Sequence, residues 1–205
     1  MKIIIAANGD IAGNLSDYLP EADFVIACDG ASRELISRNI VPDLIIGDLD
    51  SIDPLIKEKY SARIIRVACQ ETNDLTKALN KAMEYHPSDI LFFGLGGRRE
   101  DHTIANFSLL CDYKETHPEI QFKAISDFTT AIPLLRSTTL ATRPGNALSI
   151  VSMDPTLEIR STGLQYPTDG IILNKWWRAT LNKIEKSQVS LEFNHPAQCL
   201  VFISE

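Results

Sequence analysis

Long apolar runs, paired cysteines and an excess of basic residues are all missing from this sequence. No stretch approaches the roughly 20 apolar residues that a membrane-spanning helix needs. The four cysteines, at positions 28, 69, 111 and 199, show no CxxC spacing, which predicts reduced, mostly buried thiols. The formal net charge is −7, which argues against a nucleic-acid-binding surface. We therefore expect a cytoplasmic protein with neither a membrane nor a nucleic acid as partner.

Two common nucleotide-binding signatures are also missing. There is no Gly-x4-Gly-Lys-Ser/Thr motif, which excludes a P-loop. Nor does Gly-x-Gly-x-x-Gly with a partner acid follow the first apolar run, so a dinucleotide-dependent oxidoreductase is not expected.

The N-terminal apolar run reaches Asn8-Gly9-Asp10 too soon for a signal peptide. Apolar residues nevertheless make up 44% of the chain, enough to build a core.

Up to about residue 125, short apolar strands alternate with amphipathic helices. The predicted strands are 2–7, 24–28, 44–46, 64–68, 90–93 and 120–125, and the predicted helices are 31–39, 74–86 and 103–114. Along the last helix, Ile104, Phe107, Leu110 and Cys111 recur at helical spacing, so we expect all four to face inward. Strand–helix alternation of this kind predicts an α/β domain with a mostly parallel, helix-covered sheet.

Beyond residue 126 the pattern changes to short alternating segments separated by Thr, Ser, Asn, Gly and Pro. These segments are 138–142, 147–152, 156–161, 188–193 and 199–203. Such spacing predicts a small all-β sandwich or barrel with antiparallel strands. The expected domains are therefore 1–126, α/β, and 127–205, a β-sandwich that completes a site or builds a dimer interface.

Three acidic motifs stand where strands end or helices begin. They are Gly47-Asp48-Leu49-Asp50-Ser51, Asn73-Asp74 and Gly96-Gly97-Arg98-Arg99-Glu100-Asp101-His102. Ligands of open α/β sheets bind beyond the carboxyl ends of the strands. Carboxylates gathered there repel one another unless a cation joins them, and Mg²⁺ binds carboxylate and phosphate oxygens together. The motifs therefore predict metal-assisted, phosphoryl-type transfer.

The first two motifs each allow a second interpretation. Asp48 and Asp50 lie on one face of an extended chain and suit a shared metal ion. Alternatively, they belong to a solvated turn in which Ser51 caps a helix. Asp74 begins a helix, where an acid is favourable for capping alone. Lys77, one turn further on, reaches the same cleft or faces solvent.

The glycine-rich motif has the composition of a phosphate site. Gly96 and Gly97 let backbone N–H groups approach phosphate, and the arginines of the motif, Arg98 and Arg99, offer planar forks for phosphate oxygens. Asp101 either binds a metal or serves as a base, and His102 either takes part in catalysis or bonds locally at the helix start.

Two weaker turns belong to the same sheet edge. Asn8-Gly9-Asp10 follows the first strand and Asp29-Gly30 follows the second. Gly30 permits close approach of the backbone, and Asp29 caps a helix or binds ligand. We expect Asn8, Asp29 and Gly30 to contribute to the nucleotide site.

Taken in order, these motifs resemble the thiamine pyrophosphokinase family. The matching stretches are Asp29-Gly30-Ala31, residues 42–51, the turn from Asp74 to Lys77-Ala78, and Gly-Gly-Arg-x-x-Asp-His-Thr-x-Ala-Asn ending at Asn106. The resemblance implies a homodimer that transfers pyrophosphate from ATP to thiamine with Mg²⁺ and releases AMP. It implies metal and phosphate binding by Asp48, Asp50, Asp74 and Asp101, and a phosphate contact by Arg99.

Four positions depart from the family pattern. Glu71 and Asn73 stand where the family often has Asp and Thr. When the sequence is aligned on Asp101-His102 without a gap, Arg98 stands where a second glycine is common, and Leu181 stands where a serine precedes Asn182. The region around Asn182 is implied to line the thiamine pocket. Trp176 and Trp177 either form an aromatic wall for a thiamine ring or fill the core. Two alternatives to the kinase stay open: a nucleotide phosphohydrolase that uses the same acidic cluster, and a non-catalytic nucleotide- or thiamine-binding protein.

Overall fold

The chain divides into two units in the computed structural model, which describes residues 1–50, 52–69 and 71–204. The first unit contains Met1–Asn106 and Glu119–Asp127. The second contains Phe107–Pro118 and the chain from Phe128 onward. Within the second unit, the ring of Phe107 packs edge-on against Phe202, with 5.2 Å between ring centroids. One long helix, Glu100–Thr116, therefore contributes to both units.

The first unit is built on a parallel sheet. Its strands are β1 Lys2–Ala6, β2 Phe24–Cys28, β3 Leu44–Gly47, β4 Ile64–Arg66, β5 Asp89–Phe93 and β6 Gln121–Ile125. Its helices are α1 Leu15–Tyr18, α2 Ala31–Ser37, α3 Pro54–Lys59, α4 Asp74–Met83 and the start of α5 Glu100–Thr116, with 3-10 turns at Leu19–Glu21 and Ser61–Arg63. The strand order is β6-β5-β1-β2-β3-β4, and all five pairings are parallel.

This strand order determines where a ligand site can form. The chain moves from β1 outward through β2, β3 and β4, then returns to the other side of β1 for β5 and β6. The direction of winding therefore reverses between β1 and β5, and such a switch point opens a crevice at the carboxyl ends of the strands. The strands themselves are apolar along their length because both faces are buried, as Ile3, Ile4 and Ile5 show.

Helix α4 illustrates how local sequence determines where a helix begins. The Asn73 side chain accepts a hydrogen bond from the Thr76 backbone N–H at 2.9 Å and so caps the helix. Leu75, Ala78 and Leu79 are buried, as their spacing predicts. The helix ends at Met83, three residues before the predicted end at residue 86.

The second unit is an antiparallel β structure of two sheets. Its strands are β7 Thr129–Leu134, β8 Thr138–Ala141, β9 Ala147–Ser152, β10 Ile159–Thr162, β11 Ala179–Lys183, β12 Gln188–Phe193 and β13 Cys199–Ser204. One sheet has the order β11-β9-β13-β7 and the other β10-β12-β8. Leu148, Leu157, Val189 and Val201 belong to the buried cluster of this unit. The predicted α/β-plus-β fold class is confirmed, although β7 and β11 were not predicted.

One expected core position is wrong. Ile104 is 54% exposed, whereas Leu110 and Cys111 on the same helix are buried. Full burial along α5 begins with Leu110, after the partly buried Phe107. Helical periodicity predicts a face but not how far the covering layer extends along it.

The cysteine and membrane predictions can be compared directly with the structure. All four cysteines are free; three are buried and Cys69 is exposed. Burial raises the pKa of Cys111 to about 12 and also raises the pKa of Cys28 and Cys199, so these thiols stay protonated at neutral pH. Among the described residues, no helix is both long and apolar enough to cross a bilayer.

Candidate active site

Three carboxylates converge at the carboxyl edge of the parallel sheet. Asp29 follows β2, Asp48 follows β3, and Asp74 is the first residue of α4. One oxygen from each lies within 4.8 Å of the others. Asp29 is almost fully buried, while Asp48 and Asp74 are partly exposed. The acidic cluster therefore contains two of the three predicted metal ligands, together with Asp29, which the sequence had indicated only as a cap or nucleotide contact.

Asp50 does not belong to this cluster because the chain turns between the two acids. Leu49 has a φ of +70°, so residues 48–50 are not extended and their alternate side chains do not share a face. The Asp50 backbone N–H instead donates to Asp48 Oδ1 at 3.1 Å, and the Asp50 side chain is exposed. The assumption of an extended chain was wrong here, and a ligand role for Asp50 stays a prediction. Ser51, the predicted cap, lies outside the described residues.

Gly47 makes room for the acidic cluster. A Cβ atom on Gly47 would lie 2.6 Å from the Cβ of Asp29 and 3.3 Å from Oδ2 of Asp74. Any side chain at this position would push the carboxylates apart. The convergence therefore depends on a glycine at the last position of β3.

Lys77 supplies positive charge to the cluster from inside the protein. It is 5% exposed, and its Nζ donates to Asp74 Oδ1 at 2.9 Å. Desolvation by burial would lower the pKa of Lys77, but the hydrogen bond to Asp74 and the charges of Asp74 and Asp48 outweigh it, so the pKa is raised. The ammonium stays charged at neutral pH, and the solvent-facing interpretation of Lys77 is wrong.

The chemistry of the acidic cluster fits a hard divalent cation. Mg²⁺ binds through oxygen ligands, with one or two protein carboxylates and several water or phosphate oxygens. Asp29, Asp48 and Asp74 offer oxygens close enough together to share one ion. A single lysine offsets only part of the charge of three carboxylates.

A cavity of about 330 Å³ lies beside the acidic cluster, at the switch point between β1 and β5. The turn after β1 and the turn after β5 run side by side here. The Gly9 backbone N–H donates to Gly94 O at 2.8 Å, and the Asp10 backbone N–H donates to Gly96 O at 2.7 Å. Predicted site residues that line the cavity are Asn8, Asp74, Gly96, Arg99 and His102. Arg98 also lines it, although the family resemblance implied a phosphate contact only for Arg99.

Arg99 and Asp101 form an exposed, two-pronged ion pair. Arg99 Nη2 lies 2.6 Å from Asp101 Oδ2, and Arg99 Nε lies 3.1 Å from Oδ1. The hydrogen bond from Arg99 holds the pKa of Asp101 at about 2, assisted by the backbone N–H of His102. The Asp101 carboxylate is ionised at neutral pH and is a weak base while this pair is formed.

Gly30 and Gly97 adjoin the cavity without being part of its lining. Gly30 precedes α2 and packs directly against the Asn8 side chain. Gly97, with a φ of +99°, turns the chain between Gly96 and Arg98. A side chain on Gly30 would clash with Asn8, and one on Gly97 would clash with Asp10, so both positions need glycine.

The predicted thiamine-pocket residues lie in the second unit. Trp176 and Trp177 are 55% and 71% exposed, so the interpretation that one of them fills the core is wrong. Asn182 is buried, and its side-chain amide is engaged with the backbone of Tyr166: Oδ1 accepts at 3.1 Å and Nδ2 donates at 2.6 Å. In this unit Asn182 therefore joins β11 to the segment that contains Tyr166.

The fold and the site together define the class of protein. The chain is an α/β protein with a carboxylate cluster and a glycine-rich cavity at one sheet edge, followed by a β-sandwich unit. The family model "Thiamin pyrophosphokinase, catalytic domain" matches residues 15–122, and "Thiamin pyrophosphokinase, substrate-binding domain" matches residues 130–202. The chain belongs to the thiamin pyrophosphokinase family.

Individual relatives agree with this assignment. Thiamine pyrophosphokinase of Bacillus subtilis (strain 168) is 30% identical over 129 residues, which are 61% of this chain and 59% of that protein. The crystal structure of thiamine pyrophosphokinase from Bacillus subtilis has a TM-score of 0.85 at 24% identity and covers 100% of this chain and 99% of that chain. Thiamin pyrophosphokinase from Candida albicans has a TM-score of 0.87 at 17% identity, covering 99% and 89%. At these identities the structural similarity establishes the fold.

Proposed function

We propose that this protein is a thiamine pyrophosphokinase, which transfers pyrophosphate from ATP to the hydroxyl of thiamine and releases AMP. The observation that carries the proposal is the convergence of Asp29, Asp48 and Asp74 beside a glycine-rich cavity, in a chain of this family. A cation held by carboxylates next to a cavity lined by arginines is the arrangement that polyphosphate transfer requires.

In this proposal, Asp29, Asp48 and Asp74 hold Mg²⁺, and Asp50 is a further candidate ligand. The ion, when bound, neutralises charge on the phosphates of ATP. Gly47 keeps the three carboxylates together, because no side chain at that position competes for their space. Lys77 orients the Asp74 carboxylate through its 2.9 Å hydrogen bond.

The remaining residues position the phosphates and the attacking hydroxyl. Thiamine attacks the β-phosphorus in line, so positioning and electrostatic stabilisation provide most of the catalysis. Arg99 takes up charge that develops on the phosphate oxygens, and Asn8 and His102 line the phosphate cavity. Because Arg99 keeps the pKa of Asp101 at about 2, Asp101 is better suited to orienting Arg99 or a hydroxyl than to removing a proton.

We extend the proposal to the thiamine pocket and to assembly. Trp176 and Trp177 expose aromatic surface suitable for stacking on a cationic thiazolium ring. Tyr166 is also exposed in the same unit. A contiguous apolar patch on a protein surface marks an interaction site, and we propose that these side chains belong to such a patch in a homodimer. The enzyme is proposed to act in the cytoplasm.

An AMP-release assay with ATP and Mg²⁺, with and without thiamine, tests the reaction, with products identified by mass. AMP that appears only with thiamine, together with thiamine diphosphate, is the expected result. AMP or ADP formed regardless of thiamine would indicate the phosphohydrolase. Binding of ATP or thiamine without any product would indicate the non-catalytic binding protein.

A further inference from the structure

Two neighbouring arginines line the cavity, and their charges are compensated very differently. Arg99 makes two close contacts with the carboxylate of Asp101, at 2.6 and 3.1 Å. Arg98, half exposed, donates from Nη1 to the neutral amide oxygen of Asn8 at 2.8 Å. Its ion pairs are longer, 3.4 Å to Glu34 Oε2 and 3.7 Å to Asp10 Oδ1.

Glu34, moreover, is shared with a closer partner. Arg38 Nη2 lies 2.6 Å from Glu34 Oε1, and the Arg38 guanidinium also donates to the backbone oxygens of Ile11 and Ala12. Long, solvent-exposed ion pairs contribute little free energy, whereas short charge-assisted hydrogen bonds contribute more. An anion can therefore replace the contacts of Arg98 to Glu34 and Asp10 at less cost than it can separate Arg99 from Asp101.

The partner that orients Arg98 is itself held in place. A Cβ atom on Gly30 would lie 2.3 Å from Asn8 Nδ2, so the Asn8 amide occupies the space that the glycine leaves open. Its Oδ1 then receives the Arg98 hydrogen bond at 2.8 Å. Asn8 and Arg98 both line the cavity, and the guanidinium is thus oriented there before any ligand arrives.

We propose that Arg98 binds the polyphosphate chain of the nucleotide and raises the affinity of this enzyme for it. The inference rests on the proposed function, since it concerns the same cavity. Arg98 acts in ground-state binding, whereas Arg99 would have to give up its two contacts with Asp101 before it could bind a phosphate.

The test compares Arg98→Gln with Arg33→Gln, which removes an equal charge from an exposed position on α2 outside the cavity lining. Calorimetry with inorganic tripolyphosphate, without thiamine, measures affinity directly. We expect Arg98→Gln to weaken tripolyphosphate binding about tenfold, equivalent to one charge-assisted contact. The KM for ATP should rise by a similar factor with kcat within about twofold, and Arg33→Gln should match the wild type in both measurements.

Tripolyphosphate affinity of Arg98→Gln equal to that of the wild type would overturn the proposal. If Arg98→Gln does not fold, Arg98→Lys decides, because it keeps the charge and loses the planar fork. We expect three- to tenfold weaker binding for Arg98→Lys, and unchanged binding would overturn the proposal. Thiamine-dependent turnover by the wild type is measured separately. If the wild type turns over thiamine normally but Arg98→Gln binds tripolyphosphate as tightly as the wild type, only the role of Arg98 is rejected. If the wild type shows no turnover but Arg98→Gln binds tripolyphosphate more weakly, only the proposed reaction is rejected.

Discussion

Replacing Lys77 with methionine tests the electrostatics of the acidic cluster most directly. The lysine side chain is 4% exposed and pairs with Asp74, whose side chain is 33% exposed. Methionine is unbranched and fills the space of the lysine stem, so Lys77→Met removes the charge with little change in packing. Three carboxylates with oxygens within 4.8 Å of one another then lose their internal cation.

The expected loss of stability follows from the burial of the pair. Removing one partner of a fully buried ion pair costs about 3–5 kcal/mol. Because Asp74 is one-third exposed, water compensates part of this, and we expect a loss of roughly 2–3 kcal/mol. For a chain of this size, that corresponds to a fall in melting temperature of about 4–12 °C.

The same substitution should strengthen Mg²⁺ binding. Lys77 Nζ lies 2.9 Å from Asp74 Oδ1, so it would lie at most about 5 Å from a Mg²⁺ ion bound to that oxygen at about 2.1 Å. At about 5 Å an ammonium is repelled by a divalent ion by roughly 1.7 kcal/mol even at the dielectric constant of water. Removal of Lys77 should therefore raise Mg²⁺ affinity at least tenfold, since 1.4 kcal/mol corresponds to a factor of ten. Added Mg²⁺ should then raise the melting temperature more in Lys77→Met than in the wild type.

Thermal melts in EDTA and across a MgCl₂ titration, with calorimetric Mg²⁺ affinities, measure both effects. Lys57→Met, at an exposed position on α3, is the matched control and should melt as the wild type does. The reasoning is refuted if Lys77→Met melts like the wild type in EDTA, or if its Mg²⁺ affinity decreases.

Three further changes have defined outcomes. Asp48→Asn should lower thiamine-dependent turnover at least 100-fold with an unchanged circular dichroism spectrum, while Asp17→Asn, at an exposed acid on α1, should keep full turnover. Hydrogen bonds from Thr156, with a smaller contribution from His195, lower the pKa of Asp154 to about 2, so this carboxylate stabilises the fold above about pH 4 and less as the pH falls towards 2. Acid unfolding of Asp154→Asn should accordingly depend less on pH in that range. Leu181 is 82% exposed with a φ of +58°, so Leu181→Asn should raise stability by about 0.5–1 kcal/mol, measured by urea unfolding.

The strands of the first unit were largely predictable because burial on both faces leaves continuous apolar runs in the sequence. The second unit was less predictable. Strand β7 contains Pro133, which normally argues against a strand, yet it pairs with β13 along its whole length. Strand β11 has a shift of register between Ala179 and Asn182 and includes the left-handed Leu181. These irregularities interrupt the alternation on which strand prediction depends.

The acidic cluster, too, was predictable from the sequence in part and depended on the tertiary structure for the rest. Asp48 and Asp74 were predictable because motifs at strand ends and helix starts of an α/β sheet meet at one edge. The exclusion of Asp50 depended on one left-handed residue, Leu49, and the inclusion of Asp29 depended on a neighbouring strand. The burial of Lys77 depended on which turn of α4 faces the sheet edge.

By itself, the sequence determined the α/β class, the family and the edge of the sheet where the polar residues gather, because hydrophobic period and motif order are local along the chain. Only the tertiary structure decided which acids share a cluster, that Lys77 offsets part of their charge, and that Arg98 rather than Arg99 has its charge weakly compensated. Those properties depend on distances of a few ångströms between residues far apart in the chain. Coulomb energies and pKa values change steeply over such distances, and sequence spacing does not specify them.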